Sequence, residues 1–166
     1  MEKYVPDIYQ KSIYTIDYSK LLSKGITCLL FDLDNTIVSP KSNELPEKAK
    51  ELFISLKQKG FKVIIFSNSP KKRVNNYKKY FNVDGIHFAS KPFQRKFNKL
   101  IKDYNLSKEE IAIIGDQLLT DVLGGNKLGI TTILINPITS KDHIFSHFNR
   151  ILENKKLKKL KENNLF

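Results

Sequence analysis

Residues 26–36 read Ile26-Thr27-Cys28-Leu29-Leu30-Phe31-Asp32-Leu33-Asp34-Asn35-Thr36. A nearly unbroken run of strand-forming, mostly apolar residues ends abruptly at an acidic cluster. A strand with one wet face alternates apolar and polar residues, whereas a continuous apolar run is buried on both faces. Three more runs repeat the pattern: Val63-Ile64-Ile65-Phe66 ends at Ser67, Ile111-Ala112-Ile113-Ile114-Gly115 ends at Asp116, and Thr131 to Ile135 is stopped by Pro137. Ile86 to Ala89 reads as a shorter strand closed by Ser90-Lys91-Pro92. The intervening segments carry helical spacing. Pro46 opens one, with Ala49, Leu52, Phe53 and Leu56 recurring until Gly60. A basic helix is predicted from Pro70 to Tyr80, and another from Phe93 to Tyr104 with Phe93, Phe97, Leu100 and Ile101 on one face. Thr120 to Leu128 reads as a helix weakened by Gly124-Gly125. Buried strands separated by helices predict an α/β fold, a parallel sheet between helical layers. With no internal repeat and no linker, residues 1–166 are expected to form a single domain, with a catalytic core over 25–137 and a basic amphipathic helix over 138–166.

The chain has 166 residues, 40% hydrophobic and 28% charged, the balance of a soluble globular protein. No apolar run approaches the ~20 residues of a membrane span. The opening stretch MEKYVPDIYQ holds no apolar segment of signal-peptide length. One cysteine, Cys28, excludes an internal disulfide framework and a thiolate zinc cage. The expected setting is cytoplasmic and reduced. Lys+Arg number 29 against 17 Asp+Glu, a net charge of +12 that favours nucleic acid, phosphorylated compounds or an acidic lipid surface. Only Arg73, Arg95 and Arg150 are arginines, so the forked donor that reads phosphates and bases is scarce, and specific nucleic-acid binding is not expected. The run Lys71-Lys72-Arg73 reads as a solvated helix face. His87, His143 and His147 have no ligand spacing with acids and read as structural or exposed.

Polar residues stand just past the predicted strand ends: Asp32 and Asp34, then Ser67, then Lys91, then Asp116 and Asp121. In an open parallel sheet those ends converge on one crevice, where such folds bind ligands. Residues two apart in extended backbone share a side, so Asp32 and Asp34 face one site while Leu33 turns into the core. Asp116 adds a third carboxylate. Such groups repel unless a cation neutralises them or a proton is shared. All-oxygen ligation without His or Cys selects a hard ion, magnesium first. The Lys91 ammonium and the Ser67 hydroxyl suit the oxygens of a phosphoryl group in transfer.

Asp32-Leu33-Asp34-Asn35-Thr36 resembles the DxDxT signature of the haloacid dehalogenase (HAD) superfamily. Ser67, Lys91 and Gly115-Asp116-Gln117-Leu118-Leu119-Thr120-Asp121 are similar to its later landmarks in kind and order. A wider likeness is to the bacterial YqeG family of subfamily IIIA, whose relatives include mitochondrial phosphatidylglycerophosphate phosphatases. It rests on Tyr4-Val5-Pro6-Asp7, Ser12-Ile13-Tyr14, Ile16-Asp17, Ser67-Asn68-Ser69, Ala89-Ser90-Lys91-Pro92 and His147-Phe148-Asn149-Arg150. Ser69-Pro70 departs from the family's pattern. The resemblance implies a three-layer Rossmann-like HAD core and a two-step phosphatase. Asp32 would attack phosphorus and form an aspartyl-phosphate. Asp34 would protonate the leaving oxygen and then activate water. Mg²⁺ would be held by the Asp32 and Asp116 carboxylates and the Asp34 main-chain carbonyl. Ser67 and Asn68 would bind the phosphoryl group, Lys91 would shield its charge, and Asp121 would orient Lys91 or a metal-bound water.

Asp34 to Pro46 spans about a dozen residues and Ser67 to Lys91 about two dozen, too few for an inserted cap domain. A capless site has no lid to close but admits a large or membrane-held phosphoester. The expected substrate is a lipid phosphate, phosphatidylglycerophosphate, converted to phosphatidylglycerol. The alternatives are a capless phosphatase acting on a phosphoprotein, a nucleic-acid end or a soluble phosphoester and, from another class, a non-catalytic RNA- or ribosome-binding module. Beyond Ile144, Phe145, Phe148, Ile151, Leu152, Leu157 and Leu160 recur near helical spacing among lysines. Such a helix either docks on an anionic bilayer, in peripheral contact with the inner face of the membrane, or packs on the domain.

Overall fold

Successive strand residues point to opposite faces of a sheet, and here both faces are covered by helices. The computed structural model describes residues 2–139. The expectations for the basic C-terminal helix, for His143 and His147 and for the 147–150 motif lie outside the described residues. The elements are β1 (Ile8–Gln10), α1 (Tyr18–Ser23), β2 (Cys28–Phe31), α2 (Glu47–Gln58), β3 (Lys62–Phe66), α3 (Lys71–Phe81), β4 (Asp84–Ile86), α4 (Arg95–Asp103), β5 (Ile111–Gly115), α5 (Leu123–Leu128) and β6 (Thr131–Ile135). A π-helical turn, Leu118–Val122, leads into α5.

The six strands form one sheet in the order β1-β6-β5-β2-β3-β4, and every neighbouring pair is parallel. Leu29, Phe31, Val63, Ile65, Ala112 and Ile114 pack on one face against side chains of α1, α2 and α3. Their sequence neighbours Cys28, Leu30, Ile64, Phe66, Ile111 and Ile113 pack on the other, against Phe97 and Leu100 of α4 and Leu128 of α5. This is the three-layer α/β arrangement read from the apolar runs. Aromatic contacts anchor both layers: Phe31–Phe53 at 4.8 Å and Phe53–Phe81 at 4.9 Å on one side, Phe66–Phe97 at 4.4 Å on the other.

From β2 the chain steps outward to β3 and β4, then returns to β5 on the opposite side of β2 before reaching β6. Parallel crossovers are right-handed, so this reversal sends the early and late helices to opposite faces. It also opens a crevice at the carboxyl ends of β2 and β5, the place where doubly wound sheets bind ligands. No helix among the described residues is long and apolar enough to cross a membrane.

Several elements differ from the sequence reading. β1 and α1 were not expected, and β1 extends the sheet by pairing with β6 through Ile8 and Ile133. The short fourth strand is Asp84–Ile86, not Ile86 to Ala89; Gly85 lies so close to α3 that a Cβ there would sit 3.0 Å from Val74 Cγ1. Phe93 lies outside α4 and is 71% exposed, so it is not part of that helix's buried stripe. Gly125 in α5 serves close packing: a Cβ there would fall 2.4 Å from Thr132 Cγ2 and 2.8 Å from Ile113 Cγ2.

Candidate active site

Asp32 follows β2 directly, and its N–H donates to the Ile114 carbonyl at 2.9 Å, carrying the β2–β5 ladder one residue past the strand. Asp116 follows β5 in the same way, and the π-helical turn brings Asp121 back beside it. Carboxylate oxygens of Asp32, Asp116 and Asp121, all three buried, lie within 4.8 Å of one another. Lys91, from the loop after β4, reaches into this cluster. Its Nζ is 2.8 Å from Asp32 Oδ1 and 2.6 Å from Asp121 Oδ1, with the lysine side chain 1% exposed. The second Asp121 oxygen accepts the Gln117 N–H at 3.2 Å. Thr36 donates its hydroxyl to Asp116 Oδ1 at 3.4 Å.

Burial alone pulls the Lys91 pKa down, but the Asp121 and Asp32 carboxylates more than reverse this and hold it above the ordinary lysine value. Burial pushes the Asp121 carboxyl up to about 6, against the pull of Lys91. Three carboxylates facing one ammonium leave negative charge that protons or a cation must neutralise. The donor set is entirely carboxylate oxygen, which fits a hard divalent ion. Asp121 has both of its oxygens engaged, one on Lys91 and the other on a backbone N–H.

The Asp34 carboxylate stands apart from the cluster. Ser69 donates its hydroxyl to Asp34 Oδ2. Arg73 Nε donates to Asp34 Oδ1 at 2.8 Å, and Nη2 lies 2.7 Å from the same oxygen. The guanidinium continues to the carbonyls of Ser42 at 2.9 Å and Ser39 at 3.0 Å. Reading residues 71–73 as a solvated face therefore holds for Lys71 and Lys72 but not for Arg73, whose side chain is 18% exposed. The available signal was one of three arginines in a lysine-rich chain, a single helical turn past the Ser67 loop. The turn after Asp34 depends on Asn35, which adopts φ 62 and closes back through its N–H to the Val38 carbonyl at 2.7 Å. Asn tolerates this left-handed conformation better than most residues.

Ser67 is 1% exposed, and its hydroxyl accepts the Ser69 N–H at 3.1 Å. Asn68 spans to the Lys91 peptide, accepting its N–H at 2.8 Å and donating to its carbonyl at 3.2 Å. The side-chain amide of Asn68 thus positions the lysine loop. Cys28 is fully buried and its thiol pKa is pushed up to about 12 by burial, so it is no nucleophile.

Gly115 sits where only hydrogen fits: a Cβ there would lie 2.2 Å from the Asp121 carboxylate carbon. Gly115→Ala is expected to displace Asp121 from Lys91 and lower turnover by about 10²-fold, the scale of misplaced catalytic groups. Steady-state kinetics beside a thermal melt checks this; a variant with unchanged kcat/KM contradicts it.

The family model described as "Mitochondrial PGP phosphatase" matches residues 1–139. The chain is 38% identical over 158 residues to "Probable phosphatase YqeG" of Bacillus subtilis (strain 168), covering 95% of this chain and 92% of that one. It is 23% identical over 156 residues to "Phosphatidylglycerophosphate phosphatase 1, chloroplastic/mitochondrial" of Arabidopsis thaliana, covering 85% of this chain but 43% of that protein. The solved structure of a predicted HAD-like family hydrolase from Porphyromonas gingivalis superposes with TM-score 0.55 at 13% identity, over 77% of this chain and 98% of that one, and shares the fold.

Proposed function

The chain is a phosphatase that belongs to the mitochondrial PGP phosphatase family, within the haloacid dehalogenase superfamily, and from that premise we propose that it hydrolyses phosphatidylglycerophosphate through an aspartyl-phosphate on Asp32. One observation carries the reading: a buried Asp32 held by Lys91 at 2.8 Å beside Asp116, with Asp34 two residues on fixed separately by Arg73. An Asp32 oxygen forms the new bond to phosphorus as the bond to the alcohol oxygen breaks, and Asp34 donates a proton to that oxygen. Asp34, now ionised, takes a proton from the water that attacks phosphorus. Inorganic phosphate leaves and the Asp32 carboxylate returns. Arg73 holds Asp34 through Oδ1 in both halves, so the proton is carried on Oδ2. That oxygen exchanges the Ser69 hydroxyl for the leaving oxygen and then for water, while Lys91 and the Ser67 loop face the phosphoryl oxygens. The Asp32 and Asp116 carboxylates with the Asp34 main-chain carbonyl would hold magnesium, which would supply positive charge against the phosphoryl oxygens.

Support for a lipid substrate comes from the names of the relatives and from the loop that carries Lys91. Phe88 and Phe93 flank it, 52% and 71% exposed. Phe88 takes φ 44 and Ser90 φ 59, conformations held by the Phe88 N–H on the Ser69 carbonyl and the Ala89 N–H on the Ser67 carbonyl. Two wet phenylalanines beside the reactive groups of a basic chain suit entry into an anionic lipid surface. Phe88→Ser combined with Phe93→Ser is expected to weaken binding to phosphatidylglycerol vesicles by about tenfold or more, from the apolar area withdrawn. Vesicle sedimentation measures it, and undiminished binding contradicts it. The substrate itself is tested by phosphate release from phosphatidylglycerophosphate in mixed micelles. Magnesium-dependent turnover supports the proposal, whereas hydrolysis of p-nitrophenyl phosphate with none of the lipid phosphate overturns the lipid assignment.

A further inference from the structure

Beside Asp34 runs a groove of about 830 Å³ between the loop that follows the first aspartate pair and helix α3, within the range of small-molecule sites. Lys72, Arg73, Asn76 and Lys79 contribute to it from α3, while Leu45 and Tyr80 give it apolar surface. No acidic side chain lines it. Arg73 is matched by Asp34, but among the described residues neither Lys72 nor Lys79 has a carboxylate partner. Lys72, Asn76 and Lys79 follow one another at steps of four and three residues and so share one face of the helix.

The groove is preformed. Tyr77 donates its hydroxyl to the Ser42 and Glu44 carbonyls, each at 3.0 Å, and Tyr80 donates to the Leu45 carbonyl at 3.1 Å. With the two Arg73 bonds to Ser39 and Ser42, these tie the loop to α3 and keep the walls apart. The Glu47 carboxylate accepts from the Tyr80 hydroxyl at 2.8 Å. Little ordering remains to be done on binding.

Its location follows from the chemistry. A general acid meets the leaving-group oxygen, so the alcohol half of the substrate departs on the Asp34 side. Arg73 both holds Asp34 at 2.8 Å and lines the groove, so a substituent on that alcohol continues into it. A short neutral alcohol leaves two ammonium groups without a counter-charge. An alcohol bearing a second anionic phosphate matches them, and Leu45, 53% exposed, suits hydrocarbon beyond it.

We propose that this groove is the leaving-group subsite and that it takes a phosphodiester joined to an apolar arm, with Lys72 and Lys79 as its anion-binding residues. The proposal rests on the phosphatase reading and adds what the site selects. The probe is dihexanoylphosphatidylglycerol below its micelle concentration, with binding to the full chain measured by calorimetry. Lys72→Ala with Lys79→Ala is expected to raise its Kd about tenfold or more, the loss of two charge-assisted contacts. Dihexanoylphosphatidylcholine, with the same chains but no net charge, is expected to bind at least about tenfold more weakly than the anionic lipid to the unaltered protein. Lys102→Ala with Lys108→Ala removes the same charge from an exposed surface elsewhere and is expected to leave Kd within about twofold. Equal affinity for the two lipids, an unmoved Kd in the Lys72/Lys79 variant, or an equal loss in both lysine pairs overturns the proposal. Selective binding without hydrolysis of phosphatidylglycerophosphate keeps the groove and removes the lipid substrate. Hydrolysis with an unchanged KM in the Lys72/Lys79 variant does the reverse.

Discussion

Asp32→Asn is expected to lower phosphate release from p-nitrophenyl phosphate by at least about 10³-fold, the scale seen when a covalent nucleophile is removed. The amide keeps the shape of the side chain but cannot supply the attacking oxyanion. Folding should survive, because Lys91 retains Asp121 at 2.6 Å and the cluster loses one of its mutually repelling charges. A melting temperature equal to or above that of the unaltered protein, together with lost turnover, separates a chemical role from a structural one. Activity within about tenfold of the original removes Asp32 as the nucleophile.

Lys91→Met is expected to damage both activity and stability. The side chain is 1% exposed and bonds two buried carboxylates. Removing one partner of such a pair leaves uncompensated buried charge, which costs roughly 3–5 kcal/mol. For a chain of this size that corresponds to a fall of about 6–20 °C in Tm. Magnesium chloride should recover part of the loss, because a cation bound only by the folded cluster stabilises by mass action. Turnover should fall by about 10²–10³-fold, the scale of removing a charge that faces the reacting group. Differential scanning calorimetry with and without magnesium reads both stability effects. A variant as stable as the original means that Asp121 and Asp32 are neutralised by something other than Lys91.

The elements that carry the site were legible because their burial is two-sided. β2, β3, β5 and β6 are apolar along their length since helices cover both faces, and the polar residues after them mark the strand ends. That sufficed to bring Asp32, Ser67, Lys91, Asp116 and Asp121 to one crevice. β1 was illegible for the converse reason: Ile8-Tyr9-Gln10 is a three-residue edge strand with half-buried and exposed positions, specified by pairing with β6 and not by its own pattern. α1 is six residues long and leans on a cap, the Asp17 carboxylate accepting the Lys20 N–H at 3.0 Å. β4 was misplaced because Gly85 is required by contact with α3, a tertiary demand with no local signature.

Within the site, the missed residue is Arg73. A Lys-Lys-Arg run at a helix start reads as solvated charge, and only the folded loop shows that Ser39 and Ser42 turn their carbonyls toward it. Asn68 shows a similar limit. The resemblance names it for the phosphoryl group, and the fold adds what no local pattern carries: its amide spans 23 positions to grip the Lys91 peptide. Side-chain chemistry located the groups, but long-range hydrogen bonds assigned their partners.

The central claim is that phosphorus is transferred to Asp32. Asp34→Asn protein, slowed in clearing the intermediate, is mixed with p-nitrophenyl phosphate and magnesium, quenched in acid and reduced with borohydride, which converts a phosphorylated aspartate to homoserine. Peptide mass spectrometry is predicted to find homoserine at position 32, only when substrate is present. An unmodified Asp32 peptide from protein that has released a burst of p-nitrophenol, or modification at another residue, contradicts the account.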